Sequence, residues 1–469
     1  MAARMKNMTE GRPLPLIVSF ALPLMAGNIF QQLYTVVDTM VVGKGLGVNA
    51  LAALGVADGL NWMVLSIAQG LVQGFAILMA QEFGAGRMDK LRRVIGNSVM
   101  LAAVSAAVVF VLGQMAARPV LVLMQAPEEI MGGALLYLRI MFMGIPVIML
   151  YNLLACILRS LGDGQTPLNA MIVASLVNIV LDLLFVLGFG WGIAGAAMAT
   201  LIAQLVSSLF CLRQLLKIEE LKLERSDLRP DTELMKQLFL LGLPMALQNM
   251  MIAVGSMIVQ SVVNGFGVLF IAGFTATNKL YGLLEIAATS YGYAMITYVG
   301  QNLGAGRIDR IKKGMRAAIV VAIFTSLAIS AVMLIFGKNI LGLFISGTPE
   351  EVEQTLKIAY FYLAVMSAFL SVLYILHVTR SAIQGMGNTF LPMVSGVAEF
   401  VMRVATVLLL PLLIGEKGLF FVEIMAWTGA DVILIPSYFW VLRKAAGSGK
   451  AVDSGEAAGF GKTADFEER

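Results

Sequence analysis

Two carboxylates stand inside apolar runs of the first half of the chain, Asp38 and Asp182. A charge at mid-membrane costs about 2.5–3.5 kcal/mol on insertion scales, so in a membrane each would need a use. Asn178 precedes Asp182 by one helical turn and shares its face, and Thr200 lies in the next apolar run. Two carboxylates in a poorly hydrated pocket do not both ionise easily. With the Asn and Thr oxygens beside them they form an all-oxygen donor set, suited to a proton or a small hard cation such as Na⁺. The same groups would also serve as interhelical hydrogen bonds that only fix packing. Two carboxylates without a basic partner make poor structural glue, which favours ion exchange.

The elements that carry these residues are set by composition. Hydrophobic residues make up 59% of the chain and charged ones 13%, with a mean hydropathy of +0.86; soluble domains carry roughly 25% charged residues. Such a chain cannot clothe a water-facing surface, and it reads as an integral membrane protein with lipid around it. Its net charge of +4 is therefore no sign of nucleic-acid binding. Cys156 and Cys211 lie in apolar stretches, and the only histidine is His377, so neither a disulfide framework nor a metal or cofactor motif is present. The first fifteen residues lack the apolar core and cleavage site of a signal peptide.

Apolar runs of about 20 residues predict twelve spans. The first covers 15–41, the fourth 130–157, the fifth 167–189, the sixth 193–215, the tenth 355–379 and the last 418–441. Six precede a polar segment and six follow it, giving a first lobe (1–216), a cytoplasmic linker (217–235), a second lobe (236–444) and a disordered cytoplasmic tail (445–469). The halves repeat. Gln81-Glu82-Phe83-Gly84-Ala85-Gly86-Arg87-Met88-Asp89 returns as Gln301-Asn302-Leu303-Gly304-Ala305-Gly306-Arg307-Ile308-Asp309, with six of nine positions identical. Leu22-Pro23 returns as Leu243-Pro244 and Arg159-Ser160 as Arg380-Ser381. Of 33 Lys and Arg, 25 fall at the termini and even-numbered loops, which places both termini and both Gly-Ala-Gly-Arg loops in the cytoplasm. Six spans per half give the two bundles the same membrane orientation, related by a pseudo-twofold axis along the membrane normal. Asp38, Asn178, Asp182 and Thr200 then share the outer half of the first lobe.

The run from Phe20 to Asp38, the two Gln-x-x-Gly-Ala-Gly-Arg loops and the Arg159-Ser-Leu-Gly-Asp-Gly-Gln-Thr-Pro167 loop together resemble the multidrug and toxic compound extrusion (MATE) family, over about residues 12–444. The resemblance implies an all-α, twelve-helix, two-lobed transporter in the cell membrane. It implies no enzyme activity and no cofactor, only cation-coupled antiport (H⁺ or Na⁺) of organic, commonly cationic, small molecules. It also implies that Asp38, Asn178, Asp182 and Thr200 form the cation-coupling site, and it strengthens the reading of Pro23, which interrupts the first helix, as a hinge. Such a transporter is expected to work as a monomer.

The second half offers a contrast. Glu399 and Arg403 occupy the positions 221 residues beyond Asn178 and Asp182 and are spaced to neutralise each other on one helix. Glu285 is a candidate for the substrate cleft, or for a partnered packing role. His377 is expected near a cytoplasmic helix end, a satisfied bystander rather than a proton relay. Gly70 and Gly74 have the spacing of close helix packing. The Gly-Ala-Gly-Arg loops lack the Lys-Ser/Thr ending of a phosphate cradle and read as tight turns with anchoring charges. A flippase for lipid-linked sugars or peptidoglycan precursors, the main alternative, would need several basic groups in its cleft to hold pyrophosphate. Only Lys279 and Arg403 are expected deep in spans. A membrane enzyme or channel finds no support, for lack of a catalytic set or pore-loop signature.

Overall fold

A computed structural model describes residues 5–124, 126–345 and 348–453, and the described chain is helical with no strand. Fourteen α-helices build twelve passes. Those of the first lobe are α1 (Pro13–Leu46), α2 (Val48–Gly84), α3 (Met88–Leu123), α4 with α5 (Glu128–Met143, Ile145–Ser160), α6 (Gln165–Asp182) and α7 (Gly192–Leu215). Those of the second are α8 (Thr232–Val263), α9 (Val268–Gly304), α10 (Ile308–Gly342), α11 with α12 (Pro349–Ala368, Leu370–Gly385), α13 (Phe390–Ile414) and α14 (Val422–Asp453). The fourth pass of each lobe is broken, bending 48° at Gly144 and 49° at Phe369, so the repeat extends to this irregularity. α14 runs on to Asp453, into the segment expected to be disordered, and residues 454–469 lie outside the described residues.

Local chemistry sets the ends. The Asp231 side chain accepts from the Leu234 amide at the start of α8, and Thr348 with Glu351 forms a capping box on α11. Gly86 and Gly306 turn the chain between the second and third passes of each lobe at φ of 70° and 69°, which disfavours any side chain there.

The first helix of each half is shared between the lobes. Ile17, Phe20 and Leu24 of α1 pack into the core of the second lobe, whereas Val41 and Val42 pack into that of the first. α8 mirrors this, with Leu234, Leu238 and Ala246 in the first lobe's core and Val259 and Val263 in the second's. Pro23 and Pro244 lie near these crossovers. Gly70 and Gly74 of α2 lie against the backbone of α8 at Ala246 and Gly242, the close packing their spacing predicts.

Candidate functional site

Along one seam, α1 and α6 run parallel. Gly27 meets Leu168, Ser175 Oγ lies 3.4 Å from the Phe30 carbonyl, and Gly45 packs against Val186 and Leu187. Asp38 is eight residues beyond Phe30 and Asp182 seven beyond Ser175, so the seam carries both carboxylates to one depth. Asp182 is the last residue of α6 before a π-helical turn, Leu183–Gly188, a local break that recurs at functional sites.

Asn178 and Asp182 are fully buried. The Asn178 amide reaches Thr200 Oγ1 at 3.5 Å, from α6 to α7. Both Asp182 oxygens, Asn178 Oδ1 and Asp38 Oδ1 are enclosed without a hydrogen-bond partner, as is Gln204 Oε1 one turn beyond Thr200. Asp38 and Asp182 lie within electrostatic range of each other. The four expected residues thus share one region. Asp58 on α2 interacts with Asp38, and Tyr34 and Tyr137 face the same charges; the sequence reading missed all three. Buried oxygens without donors are costly. A proton on a carboxyl, or a hard cation among the oxygens, would remove that cost. No group of three or more His, Cys, Asp or Glu is placed to hold a metal among the described residues. Any Na⁺ here would therefore depend on Asn178 and Thr200 besides the carboxylates.

The equivalent region of the second lobe is ion-paired, with one enclosed oxygen of Asp431 on α14 left without a partner beside it. Glu399 is ion-paired with Arg380 of α12, and Arg403 binds Glu423 of α14 at 2.7 Å while standing 3.8 Å from Glu399. The expected Glu399–Arg403 pair is therefore the weakest link of a four-member chain. Its stronger partners come from neighbouring helices, which spacing along α13 cannot show. With its amide oxygen turned toward the guanidinium, Gln248 accepts from Arg380 Nε at 3.1 Å.

Breaking rather than ending at Gly144 and Phe369 also changes the depth of three basic groups. Arg159 and Arg380, expected in loops, are in the last turn of α5 and five residues inside the end of α12, and His377 is eight residues inside that end. His377 Nε2 lies 3.3 Å from Glu285 Oε1, which gives both residues a partner. Pro23 lies within a helix that continues unbroken from Pro13 to Leu46.

The two repeated loops touch. A β-carbon at Gly84 would overlap the Gln301 carbonyl, and one at Gly304 the Gln81 carbonyl. Gln81 Nε2 donates to the Gly385 carbonyl at 3.1 Å, and Gln301 Nε2 to that of Ser160 at 2.8 Å, each across to the opposite lobe. The N-terminal segment crosses this seal, its Met8 amide donating to Gln301 Oε1 at 2.8 Å and its Thr9 carbonyl accepting from Arg307 at 2.9 Å. Far from the seal Gln31, Gln32, Thr35 and Thr39 of α1 are exposed. The loops are more than anchored turns. They bind the lobes at one face.

Comparison with known proteins follows the same lines. The MatE family model matches residues 23–184 and 244–409, the two repeats. The probable multidrug resistance protein YpnP of Bacillus subtilis is 31% identical over 88% of this chain and 92% of its own length. A solved outward-facing conformation of a multidrug resistance MATE transporter of the MOP superfamily superposes with a TM-score of 0.86 at 25% identity, covering 95% of this chain and 99% of that one. A MOP superfamily transporter from Pyrococcus furiosus, described as having a binding pocket of reverse polarity, gives 0.87 at 25% identity over 96% and 99%.

Proposed function

The chain belongs to the MatE family of multidrug transporters, and from that premise we propose that it exports organic, chiefly cationic compounds in exchange for an entering H⁺ or Na⁺. The observation that carries the reading is the set of enclosed, unpartnered oxygens on Asp38, Asn178 and Asp182 beside Thr200. A site that lacks a fixed counter-charge changes its energy when a cation enters or leaves, and coupling needs that difference. The protein is a multi-span membrane protein. Its termini and sealed face point to the cytoplasm by the charge bias, and it works as a monomer.

With Asp38 ionised and a cation bound, α1 is held against α6 and α7. With Asp38 protonated that hold weakens, and α1 bends near Pro23, where the ring removes a ladder hydrogen bond. Bending reshapes the first lobe's side of the cleft and so changes affinity for the exported compound. The coupling is reciprocal: the compound promotes cation release, and the cation weakens its binding. Dye export from proteoliposomes, with pH and Na⁺ gradients imposed separately, tests this. Export driven by either gradient fits the proposal; export indifferent to both contradicts it.

A further inference from the structure

The cations set into the spans differ in what neutralises them, with Arg380 and Arg403 buried and Arg159 partly so. Arg380 has Glu399, and Arg403 has Glu423. Arg159 forms no ion pair with any described carboxylate. Its Nη2 lies 3.1 Å from Cys156 Sγ, and its guanidinium carbon is 4.6 Å from the Tyr293 ring centroid. The repeat shows what is missing. Arg159 and Arg380 are equivalent, but the position that supplies Glu399 to Arg380 holds Asn178 in the first half, and Asn178 turns to Thr200 instead.

A guanidinium stays charged in any protein setting and offers five donors in a planar fork. Leaving it without a counter-charge away from bulk water is unfavourable. The C-terminal end of α5 and the Tyr293 face each offset part of that. The balance is unfavourable until an anion arrives.

The surroundings suit one. Arg159, Gln73, Ser160, Tyr293 and Thr297 border a cavity of about 20 Å³ between α2, α5 and α9, so both lobes line it. That is room for one water-sized oxygen or a halide. Tyr293 is fixed from across the cleft by Gln69 and Gln73, whose amides donate to its hydroxyl at 3.3 and 3.0 Å. Thr297 Oγ1 donates to the Arg159 carbonyl at 3.2 Å. The next residue, Ser160, accepts from Gln301 in the seal, so the cavity stands directly inside the closed face.

We propose that Arg159 and the Gln73 amide form an anion subsite on the floor of the cleft, with the Tyr293 ring holding the guanidinium in place. It takes a carboxylate of the exported compound, or a free halide in its place. The proposal rests on the efflux reading and narrows its cargo, from cations at large to compounds that carry an acid beside their cationic part. Because both lobes line the subsite, its occupant bridges the elements that must separate when the seal opens.

Two xanthene dyes differing in one group provide the test: rhodamine 110, a free carboxylic acid, and rhodamine 123, its methyl ester. Binding to the full-length protein in nanodiscs is read by fluorescence polarisation, with methanesulfonate replaced stepwise by chloride at constant ionic strength. The wild type is expected to bind the acid about tenfold tighter than the ester, as for one added charge-assisted pair. Arg159→Gln should collapse the difference, and Arg159→Lys, which keeps the charge but not the fork, should retain part of it. Competition by chloride for the acid identifies a halide as an alternative occupant; its absence leaves the carboxylate as the occupant. Equal binding of the two dyes by the wild type overturns the subsite without need of any variant, as does a preference that survives in Arg159→Gln. If the ester binds while the acid gains nothing, the efflux reading stands and the subsite falls. If neither dye binds, both readings fall.

Discussion

The two lobes share a helix plan and differ in how they settle their buried charge. In the second, Arg380, Glu399, Arg403 and Glu423 form a chain in which every charge has a partner. In the first, the equivalent of Glu399 is Asn178, that of Arg403 is Asp182, and Asp38 faces a position held by the core residue Val259 in the other half. One inherited frame thus carries an ion-paired chain on one side, with a single unpartnered oxygen of Asp431 beside it, and a cluster of unpartnered oxygens on the other. Removing one member of a closed network leaves a buried charge alone. An open set gains by taking up a cation, and only it can exchange one.

The largest effect should come from opening the closed side. Arg403→Leu leaves Glu423 alone and is expected to destabilise the protein by about 3–5 kcal/mol, seen as a lower Tm in detergent. The double replacement Arg403→Met with Glu423→Leu should recover most of that loss. Carboxylate removal on the open side should do the reverse. Asp182→Asn and Asp38→Asn are expected to fold as well as the wild type and to lower gradient-driven export by about tenfold or more. Closing the open side sharpens the contrast further: Asn178→Glu with Asp182→Arg copies the second lobe's pair and should give a stable, uncoupled protein.

Smaller effects belong to the parts the lobes share. Because Gly84 and Gly304 meet reciprocally, Gly84→Val and Gly304→Val should weaken the sealed face alike, by about 1–3 kcal/mol for overpacking. Thiol labelling of a cysteine placed at Ala305 or Ala85 reads the opening, and unequal responses would break the symmetry. The smallest change is expected at the hinge. Pro23→Ala should slow turnover about threefold while leaving cation binding intact, and Pro244→Ala in the closed lobe should slow it less. Unchanged export in Pro23→Ala would remove this proline from the mechanism.

Much of this contrast was legible in the sequence because it depends on short-range regularities. Apolar run length set the passes, the offset of 221 aligned the halves, and helical spacing put Asn178 and Asp182 on one face. What depends on contacts between helices was not legible. Spacing along α13 paired Glu399 with Arg403, yet the partners that dominate are Arg380 and Glu423 on other helices. Arg159 and Arg380 read as loop residues because the broken fourth passes run past the usual length. The touching of the two Gly-Ala-Gly-Arg loops could not be foreseen either. Each copy reads as a complete turn by itself, and only the fold brings Gly84 to Gln301.

The central claim is that the coupling ion exchanges at Asp182 and its neighbours in the first lobe. The most direct test is uptake of H⁺ or ²²Na⁺ into proteoliposomes during dye exchange, comparing wild type with Asp182→Asn and with Glu399→Gln in whatever fraction of that variant folds. The account predicts dye-dependent cation movement in the wild type and in folded Glu399→Gln, and its loss in Asp182→Asn. Cation movement that persists in Asp182→Asn and disappears in Glu399→Gln would place the exchange in the other lobe and contradict it.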